Sequence, residues 1–220
     1  MVRPAELGLM ASLGIAEVMV KRRLRVAFFS TGDELASIGS PLAEGQVYDS
    51  NRYTLYGMLA RLGVEILDMG VVKDDPALLE EALKSAAQNA DVIITSGGVS
   101  VGEADFIKAM MAKLGEVLFW KIAMRPGRPM AFGRIDAGGS SAWLFGLPGH
   151  PVAVMVTFHQ FVRDALLHLA SRRRHYAMPL LRRPCCEAMR TVPCRPAYAR
   201  AVPLAPLAPQ AVQRPCHHTA

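Results

Sequence analysis

The sequence predicts an α/β fold, a three-layer sandwich built on a mostly parallel sheet. Two observations carry that reading. Short apolar runs at Arg25–Ser30, Val64–Met69, Asp91–Thr95, Val117–Ile122, Met130–Arg134 and Trp143–Phe145 alternate with segments of helical spacing, so that strands and helices take turns along the chain. The runs also stop at glycine, serine or an acid, as in Thr31-Gly32-Asp33-Glu34 and Ser96-Gly97-Gly98. Buried parallel strands read this way where they reach the carboxyl edge of their sheet.

Taken in order, Pro4–Gly14 reads as a short helix ended by glycine, and Glu17–Val20 as a strand before the basic linker Lys21-Arg22-Arg23. The first strand of the body, Arg25–Ser30, leads to a helix over Asn51–Leu62 that Ser50 can cap and Gly63 can close. After Val64–Met69, Asp75 caps a helix over Pro76–Asn89 with proline at its first position. Asp91–Thr95 precedes a helix over Phe106–Leu114, closed by Gly115, and the last helix runs over Pro151–Ala170. Met58, Leu59, Leu62, Met110, Met111 and Leu114 fall on helical faces that read as core.

Composition divides the chain. Residues 1–170 hold no cysteine, seven of the fifteen prolines and a net charge of −2, whereas residues 171–220 hold all four cysteines, eight prolines and a net charge of +8. A basic protein suggests nucleic acid or an acidic membrane surface, but here the charge belongs to the tail, and neither partner is expected for the body. Arg172-Arg173-Arg174 and the proline-rich Pro203–Pro209 keep no helical or strand period. Cys185, Cys186, Cys194, Cys216, His217 and His218 lack the paired spacings of a structural zinc site. The expected division is therefore residues 1–22 as the remnant of a preceding domain and linker, 23–170 as the α/β domain, and 171–220 as an aberrant, disordered tail, as a frameshift would produce. No apolar run reaches the roughly 20 residues of a membrane span and no signal peptide precedes the first strand, which points to the cytoplasm.

The candidate chemistry lies at the strand ends. Glycines after Asp91–Thr95 allow backbone N–H groups to approach a phosphate or another oxyanion. Acids recur there as Asp33 and Glu34, Asp49, Asp74 and Asp75, and Asp105, and Mg²⁺ favours such carboxylates in company with substrate phosphate and water. Lys121, Arg125 and Arg128, in a loop stiffened by Pro126 and Pro129, supply the opposite charge and suit a dianion such as molybdate or a phosphate chain.

Five stretches carry a resemblance: Thr31-Gly32-Asp33-Glu34-Leu35, Val47-Tyr48-Asp49-Ser50-Asn51, Ser96-Gly97-Gly98-Val99-Ser100-Val101-Gly102-Glu103-Ala104-Asp105, Phe119–Pro129 and Gly146-Leu147-Pro148-Gly149-His150-Pro151. In this order they closely resemble the third domain of the MoeA-type molybdopterin molybdenumtransferases, the family that includes the E domain of gephyrin. The resemblance covers residues 1–170. It implies a molybdopterin-binding domain with a molybdenum-insertion site at Glu34, Asp74, Asp105, Lys121 and Arg125, the three acids being its Mg²⁺ ligands. The other motif positions, Thr31, Gly32, Asp33, Asp49, Ser50, Asn51, Ser96, Gly97, Gly98, Ser100, Arg128, Pro148 and Pro151, would bind adenylyl-molybdopterin.

The implied reaction inserts molybdenum from molybdate into the dithiolene of adenylyl-molybdopterin, releasing AMP. The dithiolene ligates the metal, so a cysteine-free body is no obstacle. The resemblance also implies a homodimer, with molybdopterin adenylyltransferase and molybdoenzymes as further partners. Because the family's site is completed by two earlier domains of a neighbouring subunit, impaired insertion is the expectation for this chain. His150 departs from the family's asparagine, a helix cap whose loss costs about 0.5–2 kcal/mol. Two alternatives stay open: a non-catalytic molybdopterin-binding or dimerisation module, and a molybdopterin adenylyltransferase on the same fold. The latter is disfavoured by Ser96-Gly97-Gly98-Val99-Ser100 where its loop has Thr-Gly-Gly-Thr-Gly.

Overall fold

The computed structural model describes residues 2, 4–98 and 104–170, so the tail from 171 onward lies outside the described residues. The body is the expected three-layer sandwich around a six-stranded sheet. Its strands are β1 (Arg25–Thr31), β4 (Glu65–Val72), β5 (Val92–Ser96), β6 (Gly115–Lys121), β7 (Pro129–Ala137) and β8 (Ser140–Leu147), in the order β4-β1-β5-β8-β7-β6. Strands β4, β1, β5 and β8 are mutually parallel, and β7 runs antiparallel to both β8 and β6. A small second sheet pairs β2 (Leu35–Ala36) with β3 (Val47–Tyr48).

Alternation along each central strand serves two cores. Val26 and Phe28 of β1, with Val92 and Ile94 of β5, pack under α2 (Ser50–Leu62) and the last helix through Leu55, Leu59, Val154 and Phe158. Ala27, Phe29 and Ile93 face the other way, against Leu79, Leu83 and Ala86 of α3 (Pro76–Asn89) and Ile107 and Met111 of α4 (Ala104–Leu114). Burial on both faces is why these strands read as continuous apolar runs. Each fully buried Phe or Ile side chain contributes about 1.5–3 kcal/mol.

Most elements lie where the sequence puts them, within a few residues. Asp75 caps α3 by accepting from the N–H groups of Ala77 and Leu78, and Gly63 ends α2 in a left-handed turn. Four details differ. The cap of α2 is Asp49, whose carboxylate accepts from Arg52 N–H, because the helix starts at Ser50 and not at Asn51. Gly115 does not close α4 but opens β6: a Cβ there would run into the carbonyl of Arg134 on β7, so glycine is needed for close strand approach.

Glu17–Val20 forms no strand, and Val18, Met19 and Val20 are exposed. Without a partner ladder among the described residues, an isolated four-residue segment has nothing to pair with. It follows α1 (Pro4–Ser12), a helix with no buried residue. The final helix, lastly, is not uniform: α5 (Pro151–Thr157) passes through a π-helical turn at Phe158–Val162 into α6 (Arg163–Leu169). Val154, Phe158, Val162 and Leu166 all face the core, a four-residue spacing that drifts about 40° per step on an ideal α-helix. A wider turn absorbs that drift and keeps the row on the sheet.

Candidate functional site at the switch point

From β1 the chain passes through α2 to β4 on one side, then through α3 on the opposite face to β5 on the other side. The strand order therefore reverses between β1 and β5, and ligands of open α/β sheets bind in the crevice at such a point, beyond the carboxyl ends of the strands. Ser30 of β1, Ser96 of β5 and Leu147 of β8 share one row of the sheet. The residues just past that row form the crevice.

Beneath it, Thr31 and Ser96 are buried. A Cβ added to Gly98 would lie 2.8 Å from the Thr31 hydroxyl and 2.5 Å from Ile107 Cδ1, and Gly98 has φ +66°. No other residue fits there without displacing β1 or α4. Gly97 N–H donates to Leu147 O at 3.1 Å, which commits that amide to the scaffold. Gly97 thus shapes the loop instead of offering a donor to a phosphate.

Asn51, in the first turn of α2, donates through Nδ2 to Ser96 Oγ at 3.0 Å and to Gly149 O at 2.6 Å. Asp49 is 2% exposed, and its Oδ2 is buried without a hydrogen-bond partner among the described residues, as are Asn51 Oδ1, Thr31 Oγ1 and Thr95 Oγ1. A row of shielded oxygens at a sheet edge accepts donors from water or a ligand. Thr95 is the one of these that sequence reasoning passed over. Ser50 is exposed, Pro148 is buried behind the loop, and Pro151 starts α5.

The acids gather beside β1 and β4. Asp74 N–H donates to Asp33 Oδ1 at 3.3 Å, and the Glu34 carboxylate folds back over Gly32, where a Cβ would stand 2.5 Å from Oε2. Burial, then the Asp33 carboxylate, hold the Asp74 carboxyl above the usual carboxylate range, with Glu34 adding to them and a backbone hydrogen bond from Asp33 opposing. Two further carboxylates therefore lie near enough to Asp74 to disfavour its charged form. No three His, Cys, Asp or Glu side chains among the described residues already form a cage. Asp105 sits in the first turn of α4, and Ser100 lies outside the described residues. Asp75 is committed to its helix cap.

The cations stand apart. Lys121 ends β6, and with Arg128, Ile122, Ala123 and Met124 it lines a pocket of ≈ 270 Å³. Arg125 is exposed on the same loop and is not in that lining. Ile122, Ala123 and Met124 give that pocket an apolar part, which the charges of the motif do not signal. From β1 to β6 is four strand steps, or about 19 Å at the backbone. Acids and cations are therefore two clusters on one edge, not a single nest.

A family model described as "Probable molybdopterin binding domain" matches residues 27–168, which take in the sheet and every loop of this edge. The chain belongs to that family. Among relatives of this molybdopterin-binding-domain chain, the molybdopterin molybdenumtransferase of Haemophilus influenzae is 50% identical over 171 residues, covering 78% of this chain and 41% of that protein. The one from a Nostoc species is 42% identical over 166 residues, covering 75% and 38%. Among solved structures, the molybdopterin biosynthesis moea protein of Pyrococcus horikosii superposes with a TM-score of 0.67 at 35% identity, over 77% of this chain and 41% of that one. The resemblance drawn from the motifs is borne out. The chain spans about two fifths of the length of these curated relatives. Among the described residues no helix is long and apolar enough to cross a membrane.

Proposed function

We propose that this chain supplies the molybdopterin-binding edge of a molybdenum-insertion centre, acting in molybdenum cofactor biosynthesis on adenylyl-molybdopterin and molybdate with release of AMP. The observation that carries this reading is the arrangement of one sheet edge: glycine loop at the switch point, carboxylates on one side, cations on the other. The relatives' names point the same way.

In this reading Lys121, Arg125 and Arg128 hold the incoming oxyanion, the guanidinium groups gripping it bidentately and the lysine acting as a point charge. The Ser96–Gly98 loop and the shielded oxygens of Asp49 and Thr31 orient the bound molecule. Asp33, Glu34 and Asp74, with Asp105 from the start of α4, would hold Mg²⁺, which neutralises the phosphate link being broken. Charges fixed in place before the reaction stabilise developing charge without reorganisation. The domain division at residues 22 and 170, and a cytoplasmic location, belong to the same proposal.

A homodimer fits the exposed apolar residues Ile38, Leu42, Val47, Tyr48, Tyr53 and Tyr56 around the small β2/β3 sheet and the start of α2. Sedimentation of the chain at micromolar concentration as a monomer would remove that part of the proposal.

Molybdopterin binding measured with and without Mg²⁺, beside an insertion assay, tests the function. Asp105→Asn should weaken binding in Mg²⁺ and diminish the benefit of added metal. Binding that stays metal-independent and unchanged after that substitution would refute the acid cluster's role. Binding without insertion would favour a purely binding module.

A further inference from the structure

We infer that Asn51 is a positioning residue: its amide straps the start of α2 to the glycine loop and to the loop after β8, and so sets the shape of the switch-point crevice. Both hydrogens of Nδ2 are used, one on Ser96 Oγ at 3.0 Å and one on Gly149 O at 2.6 Å. A backbone carbonyl can only accept, so the Gly149 bond fixes which end of the amide is nitrogen. The Oδ1 atom must then face away, and it is shut from solvent without a hydrogen-bond partner among the described residues. That orientation is kept although it leaves an acceptor unsatisfied, because the other end of the side chain ties the start of α2 to both loops.

The two loops are pressed together at this point. A Cβ on Gly149 would be 3.7 Å from Gly97 Cα, and Gly97 N–H donates to Leu147 O in the strand leading to Gly149. Asn51 therefore acts from a third element on a junction of two others, and it works through the loops instead of through the reacting atoms. Its functional consequence rests on the molybdopterin reading above. Its structural consequence does not.

The test uses the full chain with Asn51→Asp, which keeps the shape and removes both donors. An ionised carboxylate opposite a carbonyl cannot bond, whereas a protonated one regains a single O–H donor to Gly149 O. At pH 8 the hydrogen-exchange protection of Gly97 N–H should fall about tenfold relative to wild type, the equivalent of one lost hydrogen bond of about 1.4 kcal/mol. Molybdopterin binding should weaken by a similar factor. At pH 4, close to the ordinary aspartate pKa of about 3.9, both should recover to within about twofold of wild type at the same pH, a comparison that cancels the flanking Asp49 and His150.

A side chain that only fills space would show no such recovery. Wild-type protection at pH 8, or a loss that persists unchanged at pH 4, overturns the inference. Should Asn51→Asp not fold, Ser96→Ala removes one of the two acceptors. It should give a smaller, pH-independent loss of Gly97 protection, and no loss overturns the inference equally. If molybdopterin binds neither wild type nor variant, the ligand reading fails while the exchange measurement still decides the role of Asn51.

Discussion

Replacing Gly98 by alanine tests whether the glycine loop is held tightly enough against the scaffold to act as a rigid cradle. At φ +66° an alanine occupies the left-handed region, at a cost of about 1–2 kcal/mol. Reduced freedom of the unfolded chain returns about 0.4–1 kcal/mol. The new Cβ would meet Ile107 Cδ1 at 2.5 Å and Thr31 Oγ1 at 2.8 Å, and both residues are buried. Overpacking of this kind adds about 1–3 kcal/mol, so Gly98→Ala should destabilise the chain by about 2–4 kcal/mol. Ile107→Val removes the nearer atom and alone costs about 0.5–1.5 kcal/mol. The double variant should be less destabilised than the sum of the two singles by about 1 kcal/mol, since touching sites do not add. Urea titrations followed by far-ultraviolet circular dichroism, compared at equal slope, measure these differences. A single-variant cost under about 0.5 kcal/mol, or strict additivity, would refute the close approach of loop, β1 and α4.

His150 occupies the N-cap of α5 without making a side-chain cap bond, so His150→Asn should stabilise the chain by about 0.5–1 kcal/mol; an unchanged or lower thermal midpoint would contradict this. Asp74 is an acid whose folded-state affinity for a proton exceeds its unfolded one, so its penalty is fully present above the folded pKa and is relieved as pH falls through it. Asp74→Asn should accordingly raise stability at pH 8, with the advantage shrinking toward pH 4, while weakening Mg²⁺-assisted molybdopterin binding. A variant less stable than wild type at pH 8 would contradict the burial and the crowding by Asp33 and Glu34.

How far the sequence disclosed all this depended on whether the cause was local. Asp75-Pro76 announced α3 because a capping carboxylate and a proline at the first helical position are decided within four residues. The central strands were legible because burial on both faces leaves an unbroken apolar run. Gly115 misled because a glycine near a helix end has two uses, and only the approach of Arg134 from β7 selects the second. The π turn was hidden for the same reason, since the four-residue row becomes a constraint only once the sheet holds it in place. Gly138-Gly139 between β7 and β8, by contrast, was a readable signal left unused: both have positive φ, as the two-residue hairpin turns demand.

At the site, residue types were legible and their partition was not. Acids and cations were all expected around one pocket, yet the strand order sets Glu34 and Asp74 near β1 and β4 and Lys121 at the far edge strand, about 19 Å away in backbone terms. No spacing along the chain encodes that distance, because Asp105, at the start of α4, and Lys121, at the end of β6, are close in sequence while their strands are separated by β8 and β7. The consequence is chemical. Charges that far apart are largely screened from each other in physiological salt, so each cluster must find its own counter-charge. In the proposed reading a tetrahedral oxyanion is drawn to the cations and a metal ion to the acids. What can engage both at once is an elongated molecule with a phosphate link toward one end and an anion-seeking centre toward the other. The glycine loop between β1 and β8 then holds its middle, which makes the rigidity of that loop, set by Gly98 beneath and Asn51 beside it, the property on which alignment of the two ends depends.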